Sequence, residues 1–424
     1  MEWYHLFSPI VEKWVAFAVL AIAFALILHR KVNIALISLP AAGGLIMLGL
    51  VAPDYAFLQG VEWEVLGIYW GYGMLAIALR ESKLPSWIAV FILSRIKTEK
   101  YVLLFLCVLA AVLSSFMANP VVVIMLAPLV IEVADRLKAS LFLYLVGLAI
   151  SSNVVTTVSM VADPPSLILA MKTGMRFLDF YWFQGKVGLG TLSVVGIAAA
   201  LLTLLLQFRA MTRIVNIEKE NGKIASFIPL IIFIASIAAL SLPYWNPGIV
   251  GLLVGFLSLA FGWKYARSML VEFDWNSIFF LIGIFIVIAT VEQVGLLRDF
   301  ADWMARTGLK SPTVYLAIFV WISVALSSFI DNVPYTVLMI PVCAYTAQNL
   351  GMNPFPFYFG MLVGTGIGGN ITPVGATANV LACGMLEKRG YKIELGKYMA
   401  ISIPFSVAAV LAGHILLQLT WLGK

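Results

Sequence analysis

Along this chain apolar residues come in blocks, not in strict alternation. Blocks of about 20 residues with few charges recur from end to end, long enough to cross a hydrocarbon core as helices. The pattern predicts spans at about 14–29, 33–51, 65–80, 141–170, 187–209, 227–242, 248–262, 275–291, 355–386 and 398–421. Two more apolar stretches, about 101–134 and 312–347, carry a polar cluster at their centres. Short amphipathic pieces at about 85–97 and 297–309 precede them and suit the membrane surface.

The two polar clusters share a motif. "SSFMANPVVVIMLAP" runs from Ser114 to Pro128 and "SSFIDNVPYTVLMIP" from Ser327 to Pro341. They agree in register at both Ser, the Phe, the Asn and the closing Pro, while Ala118 stands opposite Asp331. A second pair, "EWEVLGIYWGYGMLAIALRESKL" at 62–84 and "DWNSIFFLIGIFIVIATVEQVGL" at 274–296, follows the same order. The chain therefore reads as a first repeat, 1–209, a linker, 210–226, and a second repeat, 227–424.

Charge placement sets the expected orientation. With the linker cytoplasmic, alternation of the spans puts most of the 27 basic residues on that side, among them Arg80, Arg95, Arg136, Arg213, Lys264 and Lys397. The alternation works only if each motif stretch enters and leaves on one side as a re-entrant hairpin. Each repeat then has five crossings and one hairpin, and an odd number of crossings inverts the second repeat. The expectation is an all-α polytopic protein of the cell (inner) membrane, built from two inverted repeats, with both termini extracytoplasmic.

Composition narrows the function. The 424 residues are 62% hydrophobic and 11% charged, where a soluble domain has about 25% charged. The lipid bilayer is thus the expected partner, and the net charge of +6 is a topology signal that calls for no nucleic acid. Cys107, Cys343 and Cys383, and His5, His29 and His414, are scattered, so no metal centre or cofactor is expected. There is no HExxH, no GxSxG and no phosphate-binding GxxxxGK[ST]. An enzyme is not expected, and an ATP-driven mode would need a separate ATPase subunit.

The candidate chemistry lies where helices break. Irregular backbone at membrane depth is tolerated only when protein or a watery cavity covers it. Ala118-Asn119-Pro120 and Asp331-Asn332-Val333-Pro334 predict hairpin tips, with Asn as the N-cap of the second arm and Pro in its first turn. The span after each hairpin is interrupted too: the first by Asn153, Thr156, Thr157, Asp163, Pro164 and Pro165, the second by Gly366, Gly368, Gly369, Asn370, Thr372, Pro373, Thr377 and Asn379. Four such breaks meeting near the midplane offer helix N-termini to an anion and free carbonyls to a cation. Asp163 and Asp331 are the two acids well inside these segments, which marks them as a proton or sodium relay. The competing role is helix capping. It fits Asp163 of "DPP" better than Asp331, beside which Asn332 already serves as the cap. No Lys or Arg falls in the helix interiors, so a strongly negative cargo must be neutralised by sodium, protons or helix N-termini.

The hairpin motif, the "ADPPS" turn at 162–166 and "GGNITPVGATANV" at 368–380 together resemble the ion transporter superfamily. More closely they are similar to its arsenite permease / NhaD sodium–proton antiporter group, which includes the melanosomal P-protein type. The divalent anion/sodium symporters are more distant. The resemblance spans nearly the whole chain. It implies a scaffold and a transport subdomain, elevator-like alternating access and a homodimer. It also implies a first site at Asn119, Asn153 and Asp163, joined by Thr156 of the same break. The second would comprise Asp331, Asn332, Asn370, Thr372, Thr377 and Asn379, with sodium at Asp331, Asn332 and Asn370. The sequence departs from the group at Ala118, where an acid is common, and at Ser166, where Asn is usual. The expected function is proton- or sodium-coupled secondary transport of a small inorganic solute such as arsenite. Sodium–proton antiport is the alternative. A di- or tricarboxylate cargo is less favoured, because the Ser-Asn-Thr tips of those symporters are missing. A passive channel differs from all three in being unable to drive a solute uphill.

Overall fold

The structure, a computed structural model, describes residues 7–29, 32–214, 224–306 and 311–423. The middle of the predicted linker, 215–223, and the end of the second amphipathic piece, 307–309, lie outside the described residues, as does His5. In chain order the helices are α1 (Pro9–His29), α2 (Ala35–Met47), α3 (Pro53–Tyr55), α4 (Trp63–Glu81), α5 (Leu84–Leu93), α6 (Glu99–Ser114), α7 (Asn119–Arg136), α8 (Leu141–Asn153), α9 (Pro164–Thr173) and α10 (Leu189–Gln207). They continue with α11 (Ile228–Ser241), α12 (Pro247–Phe261), α13 (Ala266–Glu272), α14 (Trp275–Gln293), α15 (Leu296–Arg306), α16 (Pro312–Ser327), α17 (Asn332–Asn349), α18 (Phe355–Gly368), α19 (Thr377–Lys388) and α20 (Leu395–Leu417). A two-stranded ribbon, Trp182–Phe183 with Lys186–Val187, lies before α10.

Fewer helices cross unaided than the ten predicted spans. Among the described residues four stretches are long and apolar enough: Pro9–Ile27, Leu189–Gln207, Trp275–Gln293 and Leu395–Leu422. The pair α12 and α13, bent by 89°, makes a fifth if taken as one span. Other predicted spans are apolar helices of 10–17 residues. At 1.5 Å per residue, 14 residues reach ~21 Å, short of a hydrocarbon core of about 30 Å. The apolar blocks are real, but Pro, Gly and polar clusters cut them into pieces.

Small residues let the pieces pack closely, as membrane helices require without a hydrophobic drive between them. The tightest approach joins α4 to α12. A Cβ on Gly71 would lie 1.8 Å from the Gly251 carbonyl oxygen, so only glycine fits there. Elsewhere α16 packs on α18, α10 on α20 and α14 on α2.

The centre is woven across the two halves of the chain. The arms α6 and α7 pack on each other, and α7 also packs on α8 and on α19 of the second half. In turn α17 packs on α18 and on α9 of the first half. Each hairpin's second arm thus touches the far piece of the other half's broken span.

Candidate functional site

Four helices begin around one cavity. Turns at 115–118, 154–163, 328–331 and 369–376 interrupt the flow of helix and restart it at α7, α9, α17 and α19. The residues at those restarts line a cavity of about 360 Å³: Ala118 to Val121, Asp163 and Pro164, Asp331 to Val333, and Thr377 with Ala378. Free N–H groups at helix starts carry partial positive charge, so four of them converge here. Proline near the start of α7, α9 and α17 fits because that position lacks an intrahelical acceptor. The second break is compressed. A Cβ on Gly375 would lie 2.3 Å from the Gly369 carbonyl oxygen, so the turn closes on glycine.

Of the ten site residues expected from the sequence, six line the cavity: Asn119, Asn153, Asp163, Asp331, Asn332 and Thr377. The other four sit behind it. Thr156 Oγ1 donates to the Asn153 carbonyl at 2.7 Å. Thr372 Oγ1 donates to the Ser328 carbonyl at 2.6 Å, tying the second break to the second tip. Asn379 Nδ2 donates to the carbonyls of Gly369 at 3.0 Å and Thr372 at 3.3 Å, bracing that break from inside. Asn370 does not turn toward Asp331 and Asn332 as expected. Its Oδ1 accepts from Asn153 Nδ2 at 3.2 Å, and its Nδ2 donates to the Ile150 carbonyl at 3.0 Å. Both ends of its amide are committed to the first half, so the proposed trio Asp331, Asn332 and Asn370 is not assembled.

The capping roles also differ from expectation. The residues at the cap positions are Ala118 and Asp331, and each Asn is the first helical residue. Asp331 Oδ1 accepts from the Val333 N–H at 3.0 Å, which makes the acid, not Asn332, the cap of α17. Asp163 occupies the cap position of α9, yet its side chain makes no capping bond. The two residues after Asp163, Pro164 and Pro165, have no N–H to offer, which leaves Ser166 as the first residue of α9 with an N–H. The sequence reading had these two acids the other way round.

The tips use their serines differently. Ser327 Oγ lies 2.5 Å from Asn332 Oδ1 and 2.6 Å from the Thr365 carbonyl. Among the described residues the matching Ser114 hydroxyl is buried with no partner, and so is Asn119 Oδ1. Ser166, where Asn was expected by resemblance, donates to the Thr156 carbonyl at 2.9 Å and so closes the first break.

More of the lining comes from α4, the end of α13 and the start of α14. Tyr69, Tyr72, Glu272, Asp274 and Ser277 line it, and none was singled out from the sequence. Their signal was there, because Tyr69, Asp274 and Ser277 fall in the repeated pair 62–84 and 274–296. Tyr72 donates to Ser236 Oγ at 2.8 Å, and Asp274 caps α14 through the Ser277 N–H at 3.1 Å. Glu272 pairs with Arg80 at 2.6 Å, and Arg80 also holds Glu81 at 2.8 Å. Among the described residues four carboxylates thus border the cavity, and no Lys, Arg or His lines it.

In secondary transporters, discontinuous helices of two repeats meet where substrate and ion sites are built. The family model described as "Citrate transporter", CitMHS, matches residues 24–364. The chain belongs to the citrate transporter family. An uncharacterized transporter of Mycobacterium tuberculosis (strain ATCC 25618 / H37Rv) is 25% identical, over 91% of this chain and 93% of that protein. The P protein of Homo sapiens is 23% identical, over 94% of this chain and 59% of that protein. Among solved structures, the YdaH transporter of Alcanivorax borkumensis matches with a TM-score of 0.56 at 16% identity, covering 92% of this chain and 97% of that one. MtrF of Neisseria gonorrhoeae, described as illuminating a class of antimetabolite efflux pumps, matches at 0.53 and 13% identity, over 90% and 85%. These neighbours share the fold. This family member is an integral membrane transporter.

Proposed function

We propose that this transporter is secondary and cation-coupled, and that it moves a small anion through the central cavity. One observation carries the reading. The cavity gathers four helix starts, from both halves of the chain, with Asp163 and Asp331 and without a basic side chain. The helix starts suit the oxygens of an anion. The two acids suit a proton or a sodium ion, and a cation there offsets the charge of the cargo. Family membership moves the preferred cargo from the arsenite-type inorganic solute to a citrate-type carboxylate, which enters with part of its charge covered by protons or cations. Direct sodium–proton exchange is the second reading, favoured because Asp163 makes no capping bond and its carboxylate is not committed to the helix start. The two halves are read as inverted repeats with re-entrant hairpins α6–α7 and α16–α17, moving as an elevator against a homodimeric scaffold in the cell membrane.

The test is transport by the full chain in proteoliposomes, with proton and sodium gradients imposed separately and citrate, arsenite and sodium as candidate cargoes. Gradient-driven citrate accumulation supports the reading. Accumulation of arsenite alone restores the inorganic cargo, and sodium movement without either solute selects antiport. Flux that only ever runs downhill overturns coupled transport.

A further inference from the structure

One guanidinium holds two carboxylates beside the cavity. Arg80 stands in the last turn of α4, where a positive charge suits the free carbonyls of a helix end. Its Nη2 donates to Glu272 Oε2 at 2.6 Å and to Glu81 Oε1 at 2.8 Å, and its Nε donates to the same Glu81 oxygen at 3.1 Å. The other oxygen of Glu272, Oε1, accepts from the Ser268 hydroxyl. Both oxygens of Glu272 are therefore committed, and its charge is fixed in place at the end of α13. The two acids belong to different cavities. Glu272 lines the central one, while Glu81 lines a second, of about 240 Å³, together with the end of α12 and the start of α11.

This pair does more than tie α13 to α4, because charge acts at a distance. A charge does not have to point into a cavity to be felt there. Lying within a Debye length, about 10 Å at 0.1 M salt, is enough. The Arg80 side chain is only 20% exposed, so water screens the pair incompletely. Asp163, Asp274, Asp331 and Glu272 all belong to the lining, and among the described residues no Lys, Arg or His lines the cavity to balance them. Arginine stays protonated throughout, so the offset it supplies is permanent. With Arg80 in place, Arg80, Glu81 and Glu272 together carry one net negative charge. Without it they carry two.

We propose that Arg80 is a specificity-determining residue of the central cavity: its pairing with Glu272 offsets one negative charge of the lining and so lets an anion enter. The proposal rests on the anion reading above and adds to it the residue that makes an acid-lined cavity tolerate a negative cargo. Arg80 acts through Glu272 and is not itself part of the lining.

The experiment reads the charge of the cavity apart from transport. Thr377 and Ile124 line the cavity and are exposed, whereas Cys107, Cys343 and Cys383 are buried. Thr377→Cys and Ile124→Cys, each in the full chain, are labelled with anionic sulfonatoethyl methanethiosulfonate and with cationic trimethylammonioethyl methanethiosulfonate. The ratio of the two rates reports the local potential. Arg80→Gln should lower the anionic-to-cationic ratio about tenfold, the order for one unit charge acting on probes of opposite sign. Adding Glu272→Gln restores the net charge and should return the ratio to within about twofold of the parent. Arg80→Lys should keep the parental ratio, and high ionic strength should shrink the Arg80→Gln shift. An ion pair that served the fold alone would show none of this pattern. An unchanged ratio in Arg80→Gln, or no recovery on adding Glu272→Gln, overturns the proposal. If Arg80→Gln does not fold, Glu272→Gln alone serves, since its amide can still accept from Arg80 and donate to Ser268. It should raise the ratio about tenfold, and an unchanged ratio overturns the proposal equally. Citrate uptake in proteoliposomes is the second readout. KM should rise about fivefold in Arg80→Gln and return in the double variant, with kcat within about twofold of the parent. A KM that ignores Arg80→Gln while the ratio shifts overturns the role in cargo entry. A labelling ratio that responds to Arg80 in a protein that takes up no anion overturns the anion reading and leaves the effect of Arg80 on cavity charge standing.

Discussion

The two hairpin tips carry nearly the same motif and are satisfied very differently. In the second tip, Ser327 bridges toward Asn332 and the Thr365 carbonyl, and Asp331 caps α17. In the first tip, the Ser114 hydroxyl and Asn119 Oδ1 are buried without partners, and Ala118 has no side chain to cap with. A buried polar group without a partner costs about 1–3 kcal/mol, so the first tip carries a penalty that the second does not. The motifs also differ by one step in their prolines. Two residues after the cap position stands Pro120 in the first tip and Val333 in the second. The N–H that Asp331 captures has no counterpart in the first tip, so an acid at 118 would have nothing equivalent to hold. Repetition of a motif therefore preserved the turn and let the chemistry diverge.

The comparison can be broken most forcefully at the acids. Asp163→Asn should reduce gradient-driven transport by about two orders of magnitude, since it removes an intramembrane charge that no capping role explains. The protein should keep its thermal stability. Full coupled uptake in proteoliposomes would mean that Asp163 handles no cation.

Asp331 comes next, because there a cap and a charge coincide. Asn caps a helix about as well as Asp, whereas Ala costs about 1 kcal/mol. Asp331→Asn should therefore melt like the parent and lose coupled uptake while solute exchange persists. Asp331→Ala should lose both uptake and stability. Equal melting points for the two variants would show that the bond to the Val333 N–H contributes nothing.

A smaller effect is expected from making the tips alike. Ala118→Asp adds a carboxylate at the cavity lining. Pro120 has no N–H, and the Val121 N–H already bonds to the Ala118 carbonyl at 2.9 Å. Stability should stay put while the cation KM falls about threefold through the added negative charge. A clear gain in melting temperature with unchanged KM would mean that the acid had capped α7 after all.

The smallest effect sharpens the serine contrast. Ser327→Ala should cost about 1–2 kcal/mol by removing the hydroxyl from two buried oxygens, while Ser114→Ala should stay within about 0.5 kcal/mol or stabilise. Thermal unfolding of both variants in one detergent checks this. Similar losses in the two would remove the asymmetry.

Much of the fold was legible because lipid leaves few options. Apolar blocks must become helices, and polar clusters inside them must mark breaks. The predicted interruptions at Asn153 to Pro165 and at Gly366 to Asn379 fall at the gaps between α8 and α9 and between α18 and α19, although Gly366 itself still belongs to α18. Helix length was less legible. Hydropathy counts apolar residues and does not see where a proline or glycine ends the hydrogen-bond ladder. At the site, Asn119, Asn153, Asp163, Asp331, Asn332 and Thr377 could be picked from the breaks. Tyr69, Asp274 and Ser277 carried only the weaker signal of the repeated pair at 62–84 and 274–296, and the packing of α4 and α14 is what brings them to the cavity.

By itself the sequence determined that this is a helical membrane protein with one motif repeated in order, and that its polar residues cluster where apolar blocks break. Those properties follow from local rules: the cost of bare backbone in lipid, the missing N–H of proline, and a motif repeated in order. Only the tertiary structure decided which atoms those residues present. Asn370 turns toward Ile150 and Asn153 rather than Asp331, because an amide is oriented by whichever donors and acceptors surround it. Those neighbours lie more than 200 positions away, and only folding brings them together.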